Sequence, residues 1–243
     1  VGKNKKADRT TTAIVHTLRD THHSQTCQTY KMKKSFTILL LGLTIIFGCS
    51  NSSSDKDIKE LGQTIQNGDI IFQTSQSNQS KAIQLATDSK YSHMGIIYEN
   101  DGQFLVYEAV QPVKLTPLKE WINRGENGHY VIKRLENADQ VLTSSTLTKM
   151  KQIGEQFKGK PYDIYFEWSD DKIYCSELVW KIYKQAADIE IGQLEKLSDF
   201  DLTNEIVQTK MKERYGDNIP MDEKVISPAA MFNSKKLITI EEK

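Results

Sequence analysis

Apolar positions along this chain fall into two rhythms, one near 3.6 residues and one near two, and the changes between them mark out the elements. Ile58, Leu61 and Ile65 recur at helical spacing before Asn67-Gly68-Asp69 turns the chain into Ile70-Ile71-Phe72, a short buried strand. Residues 80–88 suit a helix with Ala82, Ile83 and Ala86 on one side. His93 to Tyr98 and Phe104 to Ala109 read as strands joined by Glu99-Asn100-Asp101-Gly102, and Asp-Gly between two such runs predicts a hairpin. Residues 116–123 suggest a short helix packed by Leu118 and Trp121, and residues 129–135 a third strand. Leu147, Met150, Ile153 and Phe157 mark a helix that stops at Lys158-Gly159-Lys160-Pro161. Another helix begins at Cys175, where Leu178, Val179, Ile182, Tyr183 and Ala186 form an apolar stripe suited to packing on a sheet. Leu202, Ile206, Val207 and Met211 predict a surface helix, and the charged run from Met211 to Lys224 reads as solvated surface. Val225-Ile226 and residues 237–240 predict late strands around a helical turn opened by Ser227-Pro228. Helices mixed with mostly antiparallel strands predict an α+β fold.

The N-terminal quarter follows neither rhythm. From Met32 two lysines precede an apolar run from Phe36 to Phe47, followed by Gly48, Cys49 and a serine-rich stretch, the outline of a secretory signal. Twelve helical residues cover about 18 Å, short of the roughly 30 Å hydrocarbon core a spanning helix must cross. Ile46-Phe47-Gly48-Cys49 resembles a bacterial lipobox, with a small residue before the cysteine and a flexible polar tether after it. The expected organisation is an upstream extension over residues 1–31 from a misassigned start, a lipoprotein signal over 32–48, a lipidated tether over 49–56 and a hydrolase domain over 57–243. Lipidation at Cys49 would anchor the protein to a membrane of the bacterial cell envelope. His16, His22 and His23 lie in the extension, where an adjacent His pair without further ligands makes no metal site.

This division alters the charge. The whole chain of 243 residues carries 32 basic and 32 acidic side chains. The first 48 residues hold eight of the basic and two of the acidic ones, so the remainder keeps 24 and 30, a formal charge of −6. A mildly acidic domain has no electrostatic case for a nucleic-acid partner.

Cysteine usage narrows the chemistry. With Cys49 assigned to lipid and Cys27 in the extension, Cys175 is the one thiol in the exported domain, at the first residue of an amphipathic helix. Unpaired N–H groups and the positive dipole end favour a thiolate there, and the same N–H groups can hold an oxyanion. The plain alternative is a buried structural cysteine. Two features favour chemistry. His93 opens a strand-like run, well placed to meet a thiol at the start of a helix packed on the sheet. Glu108 is an isolated carboxylate in an apolar strand and needs a partner. A symmetric turn centred on Asn100-Asp101 would set Glu108 opposite His93, where it can fix the imidazole tautomer. His129 is a rival base, and a zinc site built from Cys175, His93 and Glu108 is a rival use of the same side chains.

Gly68-Asp69-Ile70-Ile71-Phe72, Ser92-His93-Met94-Gly95-Ile96, Tyr107-Glu108-Ala109, Gly159-Lys160-Pro161-Tyr162-Asp163 and Tyr174-Cys175-Ser176-Glu177-Leu178-Val179 occur in an order that resembles the YiiX/YaeF family of permuted papain-like hydrolases, relatives of NlpC-type cell-wall amidases. The resemblance spans about residues 66–240 and includes Ile226-Ser227-Pro228-Ala229-Ala230. It implies a circularly permuted papain-like core in which the histidine precedes the cysteine. It also implies Cys175 as nucleophile, His93 as base and Glu108 as orienting group, with Tyr174 and Tyr162 lining the pocket. The expected activity is hydrolysis of an amide in a cell-wall peptide, lipid or small molecule through a thioacyl-enzyme, with no cofactor or metal. Acyl transfer to lipids or amines by the same intermediate, and non-catalytic binding of cell-wall or lipid ligands, are the competing expectations.

Overall fold

The computed structural model describes residues 54–243, so Cys49, the signal segment and the upstream extension lie outside the described residues. The order of elements is α1 (Asp55–Leu61), β1 (Ile70–Gln73), α2 (Asn78–Thr87), β2 (His93–Asn100), β3 (Gln103–Glu108), β4 (Lys114–Pro117), α3 (Leu118–Arg124), β5 (Val131–Leu135), α4 (Ala138–Val141), α5 (Ser144–Phe157), α6 (Cys175–Ala187), β6 (Glu195–Lys196), α7 (Glu205–Tyr215), β7 (Lys224–Val225), α8 (Pro228–Phe232) and β8 (Leu237–Glu242). Six strands form one antiparallel sheet in the order β4-β3-β2-β1-β5-β8, and β6 pairs with β7 apart from it. This is the expected α+β architecture. Helix α1 starts before the expected domain boundary at residue 57, because the Ser54 side chain accepts from the Asp57 N–H and Asp57 accepts from the Ser54 N–H in return.

Both faces of the sheet are covered, which is why its central strands read as continuous apolar runs. On one face Ile70, Phe72, Met94 and Ile96 pack with Met150, Ile153 and Phe157 of α5 and with Leu178, Val179, Ile182 and Tyr183 of α6. On the other, Ile71, Ile97, Val106 and Ile132 pack with Leu61 and with Leu118, Trp121 and Ile122 of α3. Leu178, Val179 and Ile182 are fully buried. At about 1.5–3 kcal/mol per buried aliphatic side chain, that stripe fixes the rotation of α6 and hence the place of its first residue, Cys175.

The hairpin differs from expectation in one respect. Its loop is the two residues Asp101 and Gly102, both at positive φ, and Asn100 pairs with Gln103. The register therefore pairs Ile96 with Tyr107, and Glu108 comes opposite Gly95 rather than His93. A slip by one residue would have put Glu108 on the wrong face; this difference of two keeps it on the face of His93.

Candidate active site

Strand β2 begins at His93 and β3 ends at Glu108, so antiparallel pairing brings both to one end of the sheet. From Gly95 outward they are diagonal neighbours on the face covered by α3. His93 Nε2 meets Glu108 Oε2 at 2.6 Å, and the imidazole stacks on Trp121 with ring centroids 5.8 Å apart. Glu108 is fully buried. Three side chains hold it besides His93: Thr116 Oγ1 donates to Oε1 at 2.6 Å, Trp121 Nε1 to Oε2 at 2.9 Å, and Arg124 Nη2 to both oxygens at 2.7 and 2.5 Å. Burial pushes its carboxyl pKa up, but His93 and then Arg124 outweigh that and hold it low, at about 2.

Cys175 is 2% exposed, a free thiol at the start of α6. Because α6 lies on the opposite face from α3, its first turn reaches the imidazole only at the sheet end where β2 begins. Burial lowers the His93 pKa, but hydrogen bonding to Cys175, then to Glu108, and attraction to both push it up to about 9. With Nε2 committed to Glu108, Nδ1 is the nitrogen left for the thiol. The Tyr162 phenol also adjoins Cys175: burial and then the sulfur's charge raise its pKa well above 10, so it remains a donor, and Gln79 Nε2 donates to its oxygen at 3.4 Å. Tyr174 is held by other partners. Its hydroxyl accepts from the Ile226 N–H at 3.1 Å, and its ring meets Phe166 edge-on.

Cys175 opens onto a cleft of about 80 Å³, lined by the rings of Tyr162, Phe166 and Tyr174 and by aliphatic groups of α2, α7 and the Val225–Pro228 segment. The expected site residues Cys175, His93 and Glu108 are thus brought together, and Tyr162 and Tyr174 both line the cleft. His129 stands apart from this contact, stacked on Tyr91 with centroids 6.2 Å apart. Thr116, Trp121 and Arg124, which saturate Glu108, went unassigned in the sequence; the only signal for them was that an isolated carboxylate needed partners. The solvated surface expected from Met211 to Lys224 is corrected at its start, because Met211 and Arg214 line the cleft from the inner side of α7.

Comparison with known proteins identifies the family. The family model described as "Permuted papain-like amidase enzyme, YaeF/YiiX, C92 family" matches residues 64–241. A protein of Escherichia coli (strain K12) named "Uncharacterized protein YiiX" is 51% identical over 175 residues, covering 72% of this chain and 85% of that protein. A solved structure titled as the metalloprotein yiiX from Escherichia coli O157:H7 superposes with a TM-score of 0.71 at 50% identity, covering 74% of this chain and 98% of that one.

The word metalloprotein belongs to that structure. Here, among the described residues, no group of three or more His, Cys, Asp and Glu is arranged to hold a metal ion. Glu108, the carboxylate such a site would need, has both oxygens taken by side-chain donors, one of them a guanidinium. The zinc alternative does not fit these side chains. The chain belongs to the C92 family of permuted papain-like amidases and is a cysteine amidase-like hydrolase.

Proposed function

We propose that this protein cleaves an amide bond through a thioacyl-enzyme on Cys175, with His93 as proton carrier and Glu108 as its orienting partner. The observation that carries the reading is a single imidazole held between a fully buried, fourfold-bonded carboxylate and a thiol at a helix N-terminus. The raised His93 pKa means that the ring is protonated near neutral pH, and an imidazolium beside a helix N-terminus favours the thiolate as the attacking form. The thiolate attacks the carbonyl carbon. N–H groups of the first turn of α6, which have no partner within the helix, and the Tyr162 hydroxyl donate to the oxyanion. The imidazolium gives its proton to the leaving amine as the C–N bond breaks. Neutral His93 then takes a proton from water, whose oxygen attacks the thioester and releases the acid and the thiolate, leaving the imidazolium restored. Glu108 keeps the ring in register throughout and compensates its charge.

The apolar cleft supports an acyl portion of apolar character and favours a second reading. A cleft that sheds water slows hydrolysis of a thioester, and an amine or lipid hydroxyl then competes as acceptor, giving acyl transfer. Activity of wild type and Cys175→Ala on matched amide, ester and muropeptide libraries, with and without added amine acceptors, separates these outcomes. Turnover that survives Cys175→Ala contradicts the reading.

We further propose that the protein is held at a bacterial envelope membrane by lipid on Cys49, on the strength of the lipobox-like sequence. Mass spectrometry of the membrane fraction should find a diacylated fragment beginning at Cys49. An unmodified peptide running through Cys49 from upstream rejects the anchor.

A further inference from the structure

The cleft beside Cys175 is apolar over most of its wall, and its charged lining residues are Lys210 and Arg214, both on α7 and both cationic. Among the described residues no carboxylate lines it. Lys210 is already neutralised, with Nζ 2.5 Å from Glu213 Oε2. Arg214 has no such partner: among the described residues no carboxylate lies within ion-pair distance of it, and its guanidinium carbon lies over the Phe166 ring, 5.1 Å from the centroid. That ring in turn packs edge-on against Tyr174, the residue before the nucleophile. Asp163, Glu167 and Glu223 carry charge in the same neighbourhood, but they act on Tyr215 from a distance and none pairs with Arg214. Arg214, Tyr162 and Cys175 line the same cleft, so the guanidinium shares that space with the reacting centre.

An unpaired arginine on an acidic domain, stacked on an aromatic ring at the wall of an apolar cleft, matches a ligand with two chemistries. The cleft takes chain, and the guanidinium takes an anion by charge-assisted hydrogen bonds. Helix position gives Arg214 a second use, since it sits in the last turn of α7 where a cation complements the dipole. Lys212 sits in the same turn and serves that role equally well.

We propose that Arg214 is a specificity-determining residue that selects anionic amphiphiles, molecules whose apolar acyl chain fills the cleft and whose carboxylate or phosphate lies a few bonds from the scissile carbonyl. This rests on Cys175 being the nucleophile. N-acyl amino acids and N-acyl ethanolamine phosphates both have that layout.

The test is protection of Cys175 from iodoacetamide, read by mass spectrometry, using N-decanoylglycine against its neutral counterpart N-decanoylglycinamide. A parallel arm sets N-decanoylethanolamine phosphate against N-decanoylethanolamine. In wild type, at least one anion should half-protect at a concentration roughly tenfold or more below that of its neutral counterpart, the fold-change expected for a charge-assisted hydrogen bond. The arm with the larger ratio tells carboxylate from phosphate. Arg214→Gln should bring that ratio close to one, whereas Arg214→Lys, which retains the charge, should keep most of it. Equal protection by anion and neutral in wild type, no protection by any of the four, or a ratio untouched by Arg214→Gln overturns the proposal while Cys175 still labels. Failure of iodoacetamide to label Cys175 at all is a different result. It removes the nucleophile, and the proposal falls with it.

Discussion

Glu108 lies opposite Gly95 and reaches His93 along the diagonal. A methyl group on Gly95 would stand 2.5 Å from Val106 Cγ1, 2.8 Å from the Tyr107 carbonyl oxygen and 3.3 Å from Glu108 Cβ. The absence of a side chain there is what lets the carboxylate lean two residues along the ladder to the imidazole. The Tyr107 oxygen is backbone, so the clash is relieved only by moving β2 against β3. Gly95→Ala is expected to destabilise the domain by about 1–3 kcal/mol. Because the strands carry the two partners, it should also slow turnover by about tenfold or more, the penalty of a displaced catalytic group. An unchanged melting temperature together with unchanged turnover would count against this account.

Glu108 makes a pH-dependent contribution whose sign follows from its environment. Its folded pKa lies below the ordinary 4.5, at about 2, so the ionised form is favoured by folding. The stabilisation is complete above 4.5 and is lost as the pH falls through about 2. A displacement of that size corresponds to on the order of 3 kcal/mol. Urea unfolding of wild type and Glu108→Gln should therefore differ by a few kcal/mol near neutral pH and converge towards about pH 2. Parallel curves across this window would show that Glu108 is not the group responsible.

His93 titrates in the opposite sense. Its pKa is raised from 6.5 to about 9, so its stabilisation is complete below 6.5 and lost as the pH rises through about 9. Activity on an amide should show an alkaline limb with an apparent pKa of about 9, as imidazolium ceases to be available for the leaving amine. Since contact with Cys175 heads the causes that raise it, Cys175→Ala should lower the imidazole titration seen by NMR. A ring that titrates near 6.5 in both proteins contradicts a thiol–imidazole pair.

Much of this arrangement was legible in the sequence, and the exceptions have physical causes. Helices α5 and α6 were plain because each carries an unbroken apolar stripe, and Asp101-Gly102 announced the hairpin. The register was displaced by two because the turn centres on Asp101-Gly102 rather than on Asn100-Asp101, with Glu99 and Asn100 continuing the strand. Strand β4 was hidden because Thr116 is the one buried residue of Lys114–Pro117, so no alternation betrays it. That same Thr116, with Trp121 and Arg124, supplies the Glu108 shell; such partners converge through tertiary structure and leave no local spacing to read. Arg214 was concealed in a charged run, where composition cannot distinguish the side chain turned to the cleft from those turned to water.

The most direct measurement is rapid acid quench of the protein reacting with p-nitrophenyl decanoate, followed by intact mass and peptide mapping. The account predicts a transient decanoyl adduct on Cys175, decaying with turnover and absent from Cys175→Ala. Steady turnover with no adduct on Cys175, or an adduct confined to another residue, would contradict it.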